Sequence, residues 1–117
     1  MSSENQINYV EFQSKDIAKT KTFFSAVFGW SFTDWGEDYT SFNDGQIDGG
    51  IYRSDNAASV ENGSVLIIFY GEHLEDLREK VQVNGAEISR DIFSFPGGRR
   101  FHFIEPGGNE LAIWSDK

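Results

Sequence analysis

Residues Asp16-Ile17-Ala18-Lys19-Thr20-Lys21-Thr22-Phe23-Phe24-Ser25-Ala26-Val27-Phe28-Gly29 decide the fold, because a later stretch, Glu72-His73-Leu74-Glu75-Asp76-Leu77-Arg78-Glu79-Lys80-Val81-Gln82-Val83-Asn84-Gly85, repeats their plan. Asp16 is a helix N-cap by type, with a carboxylate that accepts from the free N–H groups of a first turn. Ile17, Phe24 and Phe28 then follow at spacings of seven and four, which is one helical stripe. Gly29 suits the left-handed position just past a helix end. In the second stretch Leu74, Leu77 and Val81 make the stripe, and Gly85 is the terminator. One helix is therefore predicted to end at Phe28 and another to cover Glu72–Asn84.

Working outward, each helix has one β-type run before it and three after it. Ile7–Gln13 precedes the first helix; Trp30–Trp35, Tyr39–Phe42 and Gly49–Arg53 follow it, with Trp30 and Trp35 read as packing residues. Asp44-Gly45 predicts a two-residue type I′ hairpin turn. Ser64–Tyr70 precedes the second helix, and Ala86–Ser89, Arg99–Ile104 and Asn109–Trp114 follow it. Pro106-Gly107 fits a type II turn. Asp55–Gly63 has no periodicity and reads as a linker. The chain is thus a single domain, residues 1–117, with module one at about 6–54 and module two at about 64–117. The fold class is α+β: two paired βαβββ modules forming an open barrel-like cavity, helices outside and curved sheet inside.

The repeat has a register. Gly29 and Gly85 stand 56 apart, and that shift lays Tyr9 on Val65 and Phe12 on Ile68. Near the module ends the shift is 62, with Gly49-Gly50-Ile51-Tyr52 on Leu111-Ala112-Ile113-Trp114. The extra residues of module two are predicted around Phe93–Gly98.

Composition limits the function. Among 117 residues, 10 Lys and Arg face 19 Asp and Glu, a net charge of −9. Nucleic acid and anionic membrane surfaces both demand a basic footprint, so neither is an expected partner. There is no Cys, which excludes disulfides, thiolate zinc sites and Cys nucleophiles. Eleven Phe are too many for a disordered acidic chain. Met1–Gln6 is polar, with no targeting pattern, and the apolar run Val65–Tyr70 is too short to span a bilayer, so a cytoplasmic location is expected.

Val10-Glu11-Phe12 through Asp16, the Phe23-Phe24…Val27-Phe28-Gly29-Trp30 helix end, Asp48-Gly49-Gly50-Ile51, and Phe103-Ile104-Glu105-Pro106-Gly107-Gly108-Asn109 together resemble the glyoxalase/bleomycin-resistance/extradiol-dioxygenase (vicinal oxygen chelate) superfamily, in particular its lactoylglutathione-lyase-like members. The last stretch resembles that superfamily's Asp-Pro-x-Gly-Asn turn, with Glu105 in place of Asp. The resemblance implies a divalent metal held by His, Glu or Gln on the first and last strands of each module. Carried over one at a time, those positions are Tyr9, Gly50, Val65 and Ala112. They offer one neutral phenol and no carboxylate or imidazole, so the metal positions are expected to be vacant and no cofactor is expected.

The resemblance also places His102 on the cavity face, three residues before the turn acid. Strand alternation then adds Arg100, while Tyr9, Glu11, Tyr52 and Trp114 share the parity of the former metal positions. The expected lining is therefore Tyr9, Glu11, Tyr52, Arg100, His102 and Trp114, aromatic walls with a few polar handles. Each has a plainer reading. The aromatics pack in strands, His102 is satisfied by a neighbour or water, and Glu11 pairs with Arg100. The expected function is metal-independent binding of a small aromatic or cationic molecule between the modules, the net acidity favouring a cation. The alternative is a lyase or isomerase acting on a small oxygenated metabolite, with His102 as base and Tyr9 and Arg100 in support; whether the chain is an enzyme stays open. A third reading is an interaction module with a vestigial cavity. The resemblance further implies a homodimer.

Overall fold

Asp16 caps the first helix as its type predicts, accepting from the Lys19 N–H at 3.1 Å, and Gly29 ends it at φ 73°. The computed structural model describes residues 4–117; residues 1–3 of the polar N-terminal stretch lie outside the described residues. The element order is β1 (Tyr9–Ser14), α1 (Ile17–Phe28), β2 (Ser31–Asp34), β3 (Tyr39–Asn43), β4 (Asp48–Arg53), β5 (Ile68–Tyr70), α2 (Leu74–Val83), β6 (Glu87–Phe95), β7 (Gly98–Ile104) and β8 (Glu110–Ser115). Two four-stranded mixed sheets result, β1-β4-β3-β2 and β5-β8-β7-β6, each with one parallel pair, β1·β4 or β5·β8. This is an α+β architecture of two paired modules, with no closed barrel. Among the described residues, no helix is long and apolar enough to cross a membrane.

Alternation sorts each sheet into two faces. Phe12, Phe42, Ile51, Phe101, Phe103, Leu111 and Ile113 are buried on the helix side. There α1 spans both modules. Phe24 meets Phe12 of β1 at 6.0 Å and Phe69 of β5 at 6.2 Å, Phe28 stacks on Phe69 at 4.3 Å, and Phe23 meets Phe103 of β7 at 5.8 Å. Trp30 stacks between Phe24 and Phe42. Trp35, by contrast, is 65% exposed, its indole N–H donating to the Ser41 hydroxyl.

A buried carboxylate joins the modules from the turn before β8. Glu105 is 1% exposed and accepts from the Thr20 hydroxyl of α1 at 2.9 Å, the Gly107 N–H at 2.5 Å and the Asn109 side-chain amide at 2.7 Å. Asn109 also donates to the Gln13 carbonyl of β1 at 2.6 Å. Burial pushes the Glu105 carboxyl up, while the Gly107 N–H, Asn109 and Thr20 oppose that rise. Gly107 is required here, since a Cβ would fall 1.9 Å from the Thr20 hydroxyl and 2.4 Å from that of Ser14.

Four local expectations change. Asp44-Gly45 is not a two-residue type I′ turn, because only Gly45 has positive φ and the Asp44 N–H closes on Ile47. The Asp44 carboxylate accepts from the N–H groups of Gln46 and Ile47, which holds the longer loop. At Pro106-Gly107 the positive φ falls on Gly108, not Gly107, so the turn is not type II. β5 covers only Ile68–Tyr70, with Val65 85% exposed ahead of it. Finally, β6 runs to Phe95 rather than stopping at Ser89, so module two's extra residues lengthen a strand and its hairpin.

The repeat register also moves by one at the first strands. Phe12 lies opposite Ile51, and Phe69 opposite Ile113, so Phe12 matches Phe69 rather than Ile68. Both rings pack on Phe24, which is the physical reason. Extending that register, the counterpart of Tyr9 is Leu66 and not Val65, again a residue without a donor side chain.

Candidate functional site

The faces turned away from the helices hold all six residues of the expected lining. In module one they present Tyr9, Glu11 and Gln13 of β1, Gly50 and Tyr52 of β4 and Tyr39 of β3, where Glu11 lies opposite Gly50 and Tyr39 opposite Tyr52. In module two they present Ala112 and Trp114 of β8 and Arg100 and His102 of β7, paired His102 to Ala112 and Arg100 to Trp114.

Module one's half is internally satisfied. The Tyr9 hydroxyl donates to the Tyr39 hydroxyl at 2.5 Å, which donates in turn to Glu11 Oε2 at 2.9 Å. Gly50 makes room for this chain, since a Cβ there would lie 1.9 Å from the Tyr39 oxygen and 2.7 Å from that of Tyr9. The hydrogen bond with Tyr9, then burial, then the bond to Glu11 raise the Tyr39 phenol above its ordinary range. Beside it, Tyr9, Glu11, Gln13, Ser64, Val65 and Ile67 line a cleft of about 370 Å³.

Module two's half is built differently. Two β-bulges in β6 bring Arg90 opposite His102 and Phe93 opposite Arg100, so both join the concave face. The guanidinium carbon of Arg90 sits 3.6 Å from the Phe93 ring centre, and that of Arg100 lies 5.3 Å from Phe93 and 5.7 Å from Phe95. Trp114 completes the wall against Phe95 and Tyr70. His102 is 4% exposed, with Nδ1 3.4 Å from Glu110 Oε2. Glu110 also accepts from the Val60 N–H at 2.8 Å and the Ser89 hydroxyl at 3.0 Å. Burial lowers the His102 imidazole below its ordinary value, Glu110 opposes the drop, and the Arg100 and Arg90 charges add to it. Hydrogen bonds from Val60, Ser89 and His102 hold the Glu110 carboxyl low against its own burial. Two buried polar atoms on this face, Arg100 Nε and His102 Nε2, have no protein partner.

The candidates thus fall into two groups. Tyr9 and Glu11 belong to the first, with Tyr52 beside them; Arg100, His102 and Trp114 belong to the second. Glu11 bonds Tyr39, so the expected Glu11–Arg100 pair is not formed. Tyr39, Arg90, Phe93, Phe95 and Glu110 were not among the expected lining. Tyr39 was legible from the parity of β3, whereas the bulges that turn Arg90 and Phe93 inward leave no sequence signal of their own.

A divalent ion does not fit the inherited positions. The Tyr39 hydroxyl fills the space above Gly50, Ala112 is fully buried opposite His102, and neither Val65 nor Leu66, the position the structure matches to Tyr9, carries a donor side chain. Among the described residues, no group of three or more His, Asp or Glu is placed to hold a metal.

The family model described as Glyoxalase/Bleomycin resistance protein/Dioxygenase superfamily matches residues 6–113. No curated protein is significantly similar in sequence. Solved structures share the fold at low identity. A glyoxalase/bleomycin resistance protein/dioxygenase family enzyme from Burkholderia phytofirmans PsJN is 14% identical, with TM-score 0.76, covering 94% of this chain and 98% of its own. The genomically encoded fosfomycin resistance protein FosX of Listeria monocytogenes is 17% identical, with TM-score 0.78, covering 98% and 94%. Lactoylglutathione lyase from Agrobacterium tumefaciens is 15% identical, with TM-score 0.71, covering 97% and 96%.

Proposed function

Because this chain belongs to the glyoxalase/bleomycin resistance protein/dioxygenase superfamily, we propose that it keeps the superfamily's concave face and uses it to bind a small molecule without a metal. One observation carries the reading: Arg100 Nε and His102 Nε2 are buried on that face with no protein partner. Buried polar groups are overwhelmingly satisfied, and an unmet one costs on the order of 1–3 kcal/mol. A ligand that meets both removes that cost on binding. The aromatic wall of Phe93, Phe95 and Trp114 supplies apolar contact, as small-molecule sites usually do. The donor set at Tyr9, Gly50, Val65 and Ala112 supports the metal-free part.

A second reading rests on the His102–Glu110 contact. A carboxylate at Nδ1 leaves Nε2 with an unmet lone pair on the face turned away from the helices, the arrangement of a general base. In this reading the chain is a lyase or isomerase in which His102 takes a proton from bound substrate.

The test is a thermal-shift screen of a mixed small-molecule library on protein treated with EDTA, with elemental analysis of untreated protein. A ligand at 100 times its Kd adds about 2.7 kcal/mol of stability. Stabilisation that EDTA leaves unchanged is expected. Stoichiometric metal, lost on replacing Tyr9, would overturn the metal-free reading; a library that stabilises nothing would overturn binding. For the second reading, His102→Ala is expected to abolish turnover of any substrate found, and a retained rate dismisses His102 as base.

A further inference from the structure

The two unpartnered atoms differ in kind, and the difference identifies a ligand class. Glu110 Oε2 lies 3.4 Å from His102 Nδ1, and the ionised carboxylate only accepts, so Nδ1 carries the proton and Nε2 is an acceptor. The guanidinium is donor-only, so Arg100 Nε–H needs an acceptor. The two residues are neighbours on one face of β7, about 7 Å apart along the strand, within reach of one small molecule. A simple acid would satisfy Arg100 alone, and a simple alcohol His102 alone.

Charge selects the acceptor. In a chain of net charge −9, Lys21 pairs with Asp34, Arg78 with Asp91 and Arg99 with Glu75. Among the described residues, neither Arg90 nor Arg100 is paired with a carboxylate; both lie on aromatic rings of β6. Arg90 and Arg100 outnumber Glu110, the carboxylate beside His102, so the concave face of module two is locally positive, opposite to the chain as a whole. An oxyanion suits it, and a cation is repelled.

We propose that this face binds a small organic acid bearing a hydroxyl close to its acid group, the oxyanion on the Arg100 guanidinium, the hydroxyl donating to His102 Nε2, and an aromatic body against Phe95 and Trp114. The proposal rests on the metal-free binding reading and deepens it. It reverses the charge preference that composition alone suggests, because charges beside a bound molecule act on it more strongly than distant, screened surface charges.

Calorimetric titration of the full chain with matched probes tests it. Mandelate carries all three features, phenylacetate lacks the hydroxyl, benzyl alcohol lacks the acid, and benzylamine reverses the charge. α-Hydroxybenzylphosphonate and benzylphosphonate repeat the first comparison with a different oxyanion. A hydroxy acid of either kind is expected to bind about tenfold tighter than its analogue without hydroxyl, since one charge-assisted or buried hydrogen bond separates them. Benzyl alcohol and benzylamine are expected to bind weakest. Arg100→Gln is expected to weaken mandelate at least about tenfold, and His102→Phe to erase the preference for mandelate over phenylacetate. Should either variant fail to fold, the probe series on unaltered protein still decides. Equal binding of mandelate and phenylacetate, or tighter binding of benzylamine, overturns the proposal. Failure of all the acids while some other molecule stabilises the EDTA-treated protein overturns the proposal alone. If nothing stabilises it, both readings fall.

Discussion

Modules one and two share one topology and put opposite chemistry on their concave faces. In module one the hydroxyls of Tyr9 and Tyr39 and the carboxylate of Glu11 satisfy one another above Gly50. In module two an acceptor and a donor, His102 Nε2 and Arg100 Nε, are left over beside Ala112. A missing Cβ makes the first arrangement possible, and two bulges in β6 furnish the second with Arg90 and Phe93. A repeated backbone therefore does not repeat its site. One copy closes on itself while the other leaves a donor and an acceptor unmet.

The comparison breaks most easily where the two modules meet. Glu105→Ala strands the Gly107 N–H in a buried turn and takes one bond each from the Asn109 amide, which keeps the Gln13 carbonyl, and the Thr20 hydroxyl, which keeps Ser14. A loss of about 3 kcal/mol or more is expected in urea unfolding. A loss below about 1 kcal/mol would mean that the joint does not hold the faces together. Gly50→Ala comes next. The new methyl overlaps the Tyr39 hydroxyl, so about 1–3 kcal/mol should be lost through overpacking. In a Tyr39→Leu background the same change should cost far less, and additivity of the two substitutions would refute the closure of module one.

The remaining predictions sharpen the contrast by titration. Tyr39 is expected to ionise above the ordinary phenol value of about 10, seen as a late step in ultraviolet absorbance that Tyr39→Phe removes. Its stabilising contribution is present below that ordinary value and lost as pH rises through the raised one. His102 gives the smallest effect and the opposite sign. Its lowered value means that stability present above about pH 6.5 is lost as pH falls through the folded value. A proton NMR titration of the His102 ring reads this directly, and an ordinary midpoint would contradict the burial that isolates Nε2.

Much of the backbone was legible because each signal was local. Asp16 and Gly29 bound α1, the stripe Leu74, Leu77 and Val81 marks α2, and the repeated order predicted both sheets. The site was legible through resemblance and parity together. The resemblance put His102 and the former metal positions on the cavity side, alternation added Glu11, Tyr52, Arg100 and Trp114 to the same lining, and the structure divides that lining between two sheets. Parity fails where a strand bulges, so a reading by parity ends β6 at Ser89 and misses Arg90 and Phe93. It also cannot say which neighbour a side chain chooses. Glu11 faces Arg100 on paper, yet Tyr39 lies across its own sheet and takes the bond. The one-residue error at Val65 arose because helix-end glycines set the register, whereas rings packing on Phe24 set it in three dimensions.

Helix α1 belongs to module one by sequence, yet Phe23 and Phe28 rest on rings from module two. The chain could be severed within the irregular segment 55–63 without cutting a strand or a helix. Each fragment alone would leave an aromatic surface in water, and the two together would cover it. The molecule therefore resembles a dimer of halves joined by a tether. Its natural companion experiment is reassembly of the two fragments, with recovered structure reporting the strength of the shared aromatic seam.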